Sequence, residues 1–538
     1  MSLPLSPSAH VDTFTRDNLP DPSTWPELRF DLPELSYPGV LNCSAPLLDR
    51  WVEEGEGGRR CLVTDSETWT YSRLQATANR IAQVLVDDLR VVPGTRVLLR
   101  GPNNPWLIAA WFAVMKAGAV AVATMPLLRP GELSTIAEMA GVEVAICDSR
   151  FASDLEAAAI PGLRITRYGG GGPDDLVALA AARADRFDNV ATAADDVCML
   201  AFTSGTTGKP KATMHFHRDV LAIADTFSRH VLKPTGSDLF TGTPPIAFTF
   251  GLGGLVVFPM HVGAATLLLE QAAPELLLRA IESHGVSVLF TAPTAYRAML
   301  PLLSQAGLAS LRRCVSAGER LPKATWEAFH EATGLRIIDG IGSTEMLHIF
   351  ISAADGDIRP GATGRAVRGY QAEVLDDRGR PAADGELGRL AVKGPTGCRY
   401  LRGDRQARYV QDGWNVTGDL YTRDSDGYFH YHSRADDMII SSGYNIAGPE
   451  VEEALMRHPE VAEAVVVGLP DEVRGMIVKA YIVTRPGAPH DEAAAKALQD
   501  FVKGEIAPYK YPRAVEFVDA LPRTSTGKLQ RYVLRERG

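Results

Sequence analysis

The sequence predicts an α/β protein with a large N-terminal domain of parallel-sheet α/β subdomains, a small β-rich subdomain and a small α+β C-terminal domain. Three observations carry this. Short apolar runs recur through the first two thirds of the chain, each ending in a small-residue or glycine-rich loop, with helical stretches between them. Strands that alternate with helices lie parallel, because a crossover helix returns the chain to the same end of the sheet. From about residue 361 the helical pattern gives way to short strands and turns, and after Arg434 it changes again. At roughly 150 residues per domain, a chain of 538 residues holds about three or four compact units.

Taken in order, the N-terminal MSLPLSPSAHVDTFTRDNLPDPSTW has no basic start followed by an apolar run, so it does not read as a secretory signal. Trp106 to Leu128 is mostly apolar, but Lys116, Gly118 and Pro126 interrupt it. A buried helix, a glycine turn and a buried strand fit it better than a membrane span. YGGGGPDD, residues 168 to 175, reads as an exposed flexible loop. Four strands then end in distinctive loops: Val197 to Phe202 before TSGTTGKPK, Val286 to Phe290 before TAPTAY, Arg313 to Val315 before SAGERLP, and Arg336 to Ile338 before DGIGSTE. Helices are expected at Asp219 to Val231, Pro274 to His284 and Lys323 to Thr333. Ligands of such sheets sit beyond the carboxyl ends of the strands, so the four loops are expected to converge on one site. The β-rich subdomain covers about 361 to 433 and closes a large domain of residues 1 to 433. Residues 434 to 538 form the small domain, where PEVEEALMRHPEV and EAAAKALQDFVKGEI read as helices and AEAVVVGL and KAYIVT as strands.

Hydrophobic content of 46% and charged content of 22% are those of a soluble globular protein. A net charge of −10 speaks against nucleic acid as a general partner. The six cysteines have no metal-ligand spacing and are too sparse for a disulfide scaffold, which suits a reducing cytosol. No membrane partner is expected, and monomer and homodimer both stay open.

TSGTTGKPK, residues 203 to 211, is built for phosphate. Thr203, Ser204, Thr206 and Thr207 supply hydroxyls, Gly205 and Gly208 let backbone N–H groups approach an anion, and Lys209 and Lys211 add charge. It is not the common nucleotide loop G-x-x-x-x-G-K-[S/T]: Thr203 stands where the first glycine is needed and Pro210 where the metal-binding hydroxyl is needed. In IGSTE, residues 341 to 345, Glu345 is a hard oxygen ligand suited to Mg²⁺, and Ser343 and Thr344 can donate to phosphate. The same residues also suit a helix N-terminus, with a hydroxyl cap and an acid in the first turn. Asp419, in GWNVTGDL, is a carboxylate on a turn able to accept both hydroxyls of a ribose. Arg434, Asp436 and Asp437 form a charged knot short enough to serve as a hinge. Lys528, in PRTSTGKLQR, reads on its own as a solvated lysine.

In the order TSGTTGKPK, GSTE, TGD, RxDD and a late TGK, these segments resemble the adenylate-forming superfamily of acyl-CoA and aryl-CoA ligases, luciferases and peptide-synthetase adenylation domains. The resemblance runs from about Thr70 to Arg531. DGIGSTEMLHIF and PTAYRAM are similar to the benzoate and 2-aminobenzoate CoA ligase branch. Two departures stand out. Ala212 replaces the glycine that usually follows PK, and Ile341 replaces the tyrosine that usually stacks on adenine, an isoleucine the benzoate branch shares.

The resemblance implies an ATP-dependent ligase that forms an aryl-AMP and then an aryl-CoA thioester from a small aromatic acid, ATP and CoA, with Mg²⁺. By the same resemblance Thr203 to Lys211 would hold the β- and γ-phosphates. Glu345, beside Thr344, would hold the metal. Gly318, Glu319, Asp339, Gly340 and Ile341 would line the adenine site. Asp419 and Arg434 would hold the ribose, and Lys528 would bridge the carboxylate and the α-phosphate. The small domain would be mobile, turning about Asp436 to bring Gly443 and Tyr444 beside Phe248 as a thiol tunnel. Phe248, Thr249, Phe250, Gly251, Ala317, Gly318, Ile341, Gly342 and His348 would form the pocket for a flat ring, with Ala317, Gly318 and Ile341 as its thin apolar walls. His348 is open between a donor to the substrate carboxylate and a structural histidine. Thr249 stands where benzoate ligases often carry alanine, in AFTFGLGG against FAYGLG, and its hydroxyl needs a partner. That partner is either an ortho amino or hydroxyl group of the substrate or the residue's own backbone. The same stretch lacks the carboxylate of amino-acid-loading domains, so an α-amino acid is not expected. A separate carrier protein remains the alternative acceptor to CoA.

Overall fold

The computed structural model describes residues 5–203, 210–271, 273–305, 307–402, 405–441, 444–471, 474–523 and 529–537. The chain divides into two compact units, Met1–Ala372 with Val392–Asn415, and Glu373–Ala391 with Val416–Gly538.

The first unit carries two sheets. One has six strands in the order Arg164–Tyr168, Val144–Asp148, Arg96–Arg100, Val120–Thr124, Val197–Thr203 and Lys211–Phe216. All neighbours in it are parallel except the last pair, a hairpin whose connection is the phosphate-suited loop. The other has nine strands in the order Arg365–Ala366, Ile349–Ser352, Ile337–Gly342, Arg313–Ser316, Val288–Thr291, Leu239–Gly242, Ala265–Leu267, Arg60–Val63 and Thr68–Thr70. Its middle, from Ile337–Gly342 to Arg60–Val63, is parallel, and both edges are antiparallel. The four loops therefore do not leave one sheet. Three leave the nine-stranded sheet, while TSGTTGKPK leaves the six-stranded one, because Val197–Thr203 pairs beside Val120–Thr124.

The expected helices form at Pro274–His284 and Lys323–Thr333. Each ends on a left-handed glycine, Gly285 or Gly334, a backbone state that residues with a Cβ adopt only at a cost. The helix expected from Asp219 starts earlier, as His217–Ile223, and continues in π-helical turns over Ala224–Leu232. The apolar stretch after Trp106 is the buried helix Pro105–Lys116, capped by the Asn104 side chain on the Leu107 N–H, followed by strand Val120–Thr124. No helix among the described residues is long and apolar enough to cross a membrane. YGGGGPDD is exposed only over 169–174. Tyr168 is the buried end of a strand, and the buried Asp175 carboxylate accepts the Gly170, Gly171 and Val177 N–H groups.

Folding gathers groups that sequence spacing hides. All six cysteines are free and buried. Cys43, Cys198 and His217 meet with their ligand atoms within 4.8 Å of one another. Protein groups already engage them: the Cys43 N–H donates to His217 Nδ1 at 3.2 Å, and the Cys198 thiol donates to the His215 carbonyl at 3.5 Å.

Strand Trp414–Arg423 crosses from the first unit into the second, where its Asp419–Arg423 part pairs antiparallel with Phe429–Arg434. Farther on, Val461–Asp471, Gly475–Thr484, Met438–Ser441 and Tyr444–Ala447 form an antiparallel sheet, with Ala514–Phe517 parallel to Gly475–Thr484. Helices Gly448–Met456 and Glu492–Glu505 cover it through Val451, Leu455, Leu498 and Val502.

One fully buried ion pair holds the first unit around its hairpin. Arg399 and Asp219 have no exposed side-chain surface, and the guanidinium lies 4.0 Å from the Phe216 ring centroid. Arg399→Ala leaves an uncompensated buried carboxylate, a change worth about 3–5 kcal/mol. The expected outcome is a lower urea midpoint for the variant, read by tryptophan fluorescence.

Candidate active site

The phosphate-suited loop is anchored where its two ends face each other. Thr203 and Lys211 are register partners across the hairpin. Ser204 to Lys209 lie outside the described residues. The second strand of the hairpin also pairs with a distant segment: Thr213 bridges Tyr400, the Met214 N–H donates to the Arg399 carbonyl at 2.8 Å, and the Leu401 N–H donates to the Ala212 carbonyl at 2.9 Å.

That pairing sets Tyr400 between two predicted site residues. Its ring lies 5.7 Å from Lys211 Nζ. Its hydroxyl donates to Glu345 Oε1 at 2.6 Å. Burial, and then the Glu345 carboxylate, push the Tyr400 hydroxyl far above its ordinary pKa, so it stays a donor. Glu345 sits in the turn Thr344–Met346, which Ser343 caps by accepting the Met346 N–H at 3.2 Å. Neighbouring segments hold the turn from several sides. Thr213 donates to the Thr344 carbonyl at 3.5 Å, Thr396 donates to the Met346 carbonyl at 2.8 Å, and Ser343 and Tyr409 share a hydroxyl contact at 3.2 Å. Glu345 Oε2 takes no hydrogen bond from the described residues. It is a hard carboxylate oxygen, which suits a magnesium ligand.

Asp339 lies on strand Ile337–Gly342. The residue is half-buried, yet its Oδ1 is sealed from solvent without a hydrogen-bond partner. Burial pushes the carboxyl up to about 8, against the opposing pull of the Gly340 N–H and Arg320. A shallow cleft beside it is lined by Trp326, Ile337, Arg359 and Thr363 among others. Gly318 has φ +89° and open space where a Cβ would stand, and Glu319 follows it. Gly340 and Gly342 pack against the Ile349 side chain and the His348 backbone respectively.

Around His348, three residues beyond Glu345, the predicted ring pocket is largely aromatic. Phe248 precedes the short helix Thr249–Leu252, which carries Phe250 and Gly251. The Phe250 ring is 5.5 Å from Phe290 and 5.6 Å from His348. Phe258 and Phe227 stand 4.6 and 5.5 Å from the same imidazole. Gly253 makes room for that ring, since a Cβ there would meet it at 2.3 Å. Neither His348 nitrogen makes a full hydrogen bond among the described residues, and burial pulls its pKa down to about 3 against the opposing pull of the Phe250 backbone, so the ring is neutral. Thr249 is half-buried, and its hydroxyl has no hydrogen-bond partner among the described residues. Ala317 is buried, and Ile341 pairs with Ile351 across the sheet edge.

In the second unit Asp419 and Arg434 face each other across antiparallel strands, and Arg434 Nη1 reaches Asp419 Oδ1 at 3.1 Å. Asp436 belongs to the turn Ala435–Asp437, and Tyr444 opens strand Tyr444–Ala447. The side chains of Asp436 and Tyr444, and the residues Gly443 and Lys528, lie outside what is described.

The structure thus brings Thr203, Lys211, Thr344 and Glu345 to one hairpin root, unites Phe250 with His348, and pairs Asp419 with Arg434. It adds Tyr400 and Thr213, which sequence reasoning missed. Tyr400 sits in GCRYLRG, which has neither strand nor helix period, so its only signal is pairing with a strand some 190 residues earlier.

The raised pKa of Asp339 has a stability consequence. Between the unfolded value near 3.8 and about 8 the folded state binds more proton, so this residue's contribution falls as pH rises through that window. Asp339→Asn is expected to raise the thermal midpoint, with a gain that grows from about pH 4 to pH 8 and then levels, read by scanning calorimetry across pH.

Two family models match the chain: AMP-binding enzyme over residues 48–400 and AMP-binding enzyme C-terminal domain over 450–528. The chain is 35% identical over 514 residues to a benzoate–CoA ligase of Thauera aromatica, covering 94% of this chain and 97% of the relative. Among solved structures it is similar to the anthranilate CoA ligase AuaEII in complex with anthranoyl-AMP, with a TM-score of 0.89 and 35% identity over 94% of this chain and 99% of that one. It is also similar to a benzoate CoA ligase from Burkholderia xenovorans LB400, with a TM-score of 0.83 and 32% identity over 92% of this chain and the whole of that one.

Proposed function

The chain belongs to the AMP-binding enzyme family, and on that premise we propose that it is an AMP-forming aryl-acid CoA ligase. The observation that carries this reading is the carboxylate of Glu345, held by Tyr400 beside Lys211 at the root of the hydroxyl- and glycine-rich loop. An aryl carboxylate attacks the α-phosphorus of ATP and expels pyrophosphate, leaving a mixed anhydride with AMP. The thiol of CoA then attacks the acyl carbon and expels AMP. No side-chain nucleophile is needed, because the anhydride is itself the activated species. An anionic acid must approach an anionic triphosphate, so positioning and charge neutralisation supply most of the rate.

In this reading residues 203 to 211 hold the departing pyrophosphate, and Asp419 and Arg434 hold the ribose. Asp339 faces the adenine. Glu345 would hold Mg²⁺, which would supply charge neutralisation at the phosphates. Lys528 bridges the carboxylate and the α-phosphate. The small domain, residues 434 to 538, turns about Asp436 between the half-reactions and brings Gly443 and Tyr444 to the thiol path. Six free, buried cysteines suit a reducing cytosol. A panel of aryl acids scored for both pyrophosphate and CoA thioester tests substrate and acceptor together. Lys528→Ala is expected to lose pyrophosphate release while retaining thioester formation from supplied aryl-AMP, and equal loss of both sinks the two-step assignment.

The acid is an ortho-substituted benzoate, 2-aminobenzoate or 2-hydroxybenzoate. Phe250 and the neutral His348 make a flat apolar cage, and the Thr249 hydroxyl is not taken up by its own backbone. An ortho amino or hydroxyl group satisfies it. One such bond is worth about 1 kcal/mol net, so the preference over benzoate is several-fold to about tenfold. Thr249→Ala is expected to erase that preference while benzoate turnover persists. An unchanged ratio of kcat/KM values between the two acids means Thr249 does not read the substituent.

A further inference from the structure

We propose that Tyr400 is a positioning residue for the metal-binding carboxylate, an inference that rests on the assignment of Glu345 as the magnesium ligand. Tyr400 is only 3% exposed, and its hydroxyl reaches Glu345 Oε1 at 2.6 Å. It therefore occupies one carboxylate oxygen and leaves Oε2 with no donor among the described residues. The Tyr400 ring is fixed independently of Glu345. It packs edge-on against Tyr409 at 5.8 Å, and its backbone is bridged to Thr213. Lys211 stands over the same ring at 5.7 Å, so one side chain touches both the end of the phosphate-suited hairpin and the carboxylate.

The chemistry of the donor matters. A neutral phenol orients a carboxylate without cancelling its charge, which remains available to a cation. An arginine or lysine in the same place would compete with the metal for that charge. With the hydroxyl removed, Glu345 is free to turn, and the metal must pay the ordering entropy that the protein had already met.

The test is Tyr400→Phe, which keeps the ring and deletes the hydroxyl, run beside Glu345→Gln. Mn²⁺ is titrated into protein saturated with a non-hydrolysable ATP analogue, and free Mn²⁺ is read by electron paramagnetic resonance. In parallel, the Mg²⁺ concentration giving half-maximal pyrophosphate release is measured. The expected result is metal affinity about tenfold weaker in Tyr400→Phe, the loss of one charge-assisted hydrogen bond, with pyrophosphate release largely restored at saturating Mg²⁺. Glu345→Gln weakens metal binding further. Wild-type Mn²⁺ affinity in Tyr400→Phe alone overturns the positioning role. A loss of activity that Mg²⁺ does not restore overturns it too, because that is the mark of a packing defect. Wild-type Mn²⁺ affinity in Glu345→Gln removes the metal assignment itself, and the inference falls with it.

Discussion

The buried pair of Arg399 and Asp219 is the constraint on which the site geometry rests. Asp219 Oδ2 accepts the Phe216 N–H at 3.0 Å, so it caps the helix that follows the hairpin, and it also receives the Arg399 guanidinium. Arg399 in turn offers its carbonyl to Met214 and lies over Phe216. Two charges buried together cost desolvation and return it only through good geometry. The return here is positional. The strand Lys211–Phe216, the segment through Tyr400 and the helix His217–Ile223 are fixed to one another by groups that have no alternative partner in so dry a place. His215 lies nearby with its Nδ1 3.9 Å from Asp219, yet burial pulls its pKa down to about 4, so it does not compete as a cation for that carboxylate.

Charge is divided sharply within the first unit. Lys211 and Glu345 meet around Tyr400, whereas the cage around His348 is built from Phe227, Phe250, Phe258 and Phe290. A neutral imidazole whose nitrogens make no full hydrogen bond among the described residues is an expensive thing to bury among phenyl rings. The aromatic walls suit a flat ring and offer nothing to a flexible chain that needs length. Gly253 and Gly342 are part of the same design, since a side chain at either would strike the histidine ring or its backbone.

Much of this was legible locally. Pro274–His284 and Lys323–Thr333 were read to the residue because a left-handed glycine ends each of them. The helix read as starting at Asp219 begins at His217, because Asp219 is the first-turn acid that caps rather than the first residue. Sheet membership was not legible. Val197 to Phe202 has the same apolar character as the strands of the nine-stranded sheet, and which neighbour it pairs with is decided by contacts far along the chain. Tyr400 and the meeting of Cys43, Cys198 and His217 were hidden for the same reason: Tyr400 pairs with Thr213 and Cys43 with His217, each more than a hundred residues away, where periodicity carries no information. Ser343 shows the opposite case. The capping role and the phosphate role were both open in the sequence, and the structure fills the first without excluding the second, because a cap at the start of a short turn leaves the following N–H groups near the same spot.

The hairpin root and the turn that carries Glu345 come from two different sheets. A phosphate loop and a metal-binding turn on adjacent strands of one sheet would share one hydrogen-bond register, and each could shift only with the other. Here the loop belongs to the six-stranded sheet and Glu345 to the nine-stranded one, and they are joined through side chains, Tyr400 to Glu345, with Thr213 bonding the Thr344 carbonyl. Side-chain joints hold distance and direction while tolerating small sliding of one sheet past the other. On the proposed reading, a triphosphate that is bound and then loses two of its phosphates changes its demands on residues 203 to 211 between the half-reactions. The carboxylate on the other sheet need not follow each of those changes, because what fixes it is a buried phenol rather than the loop itself.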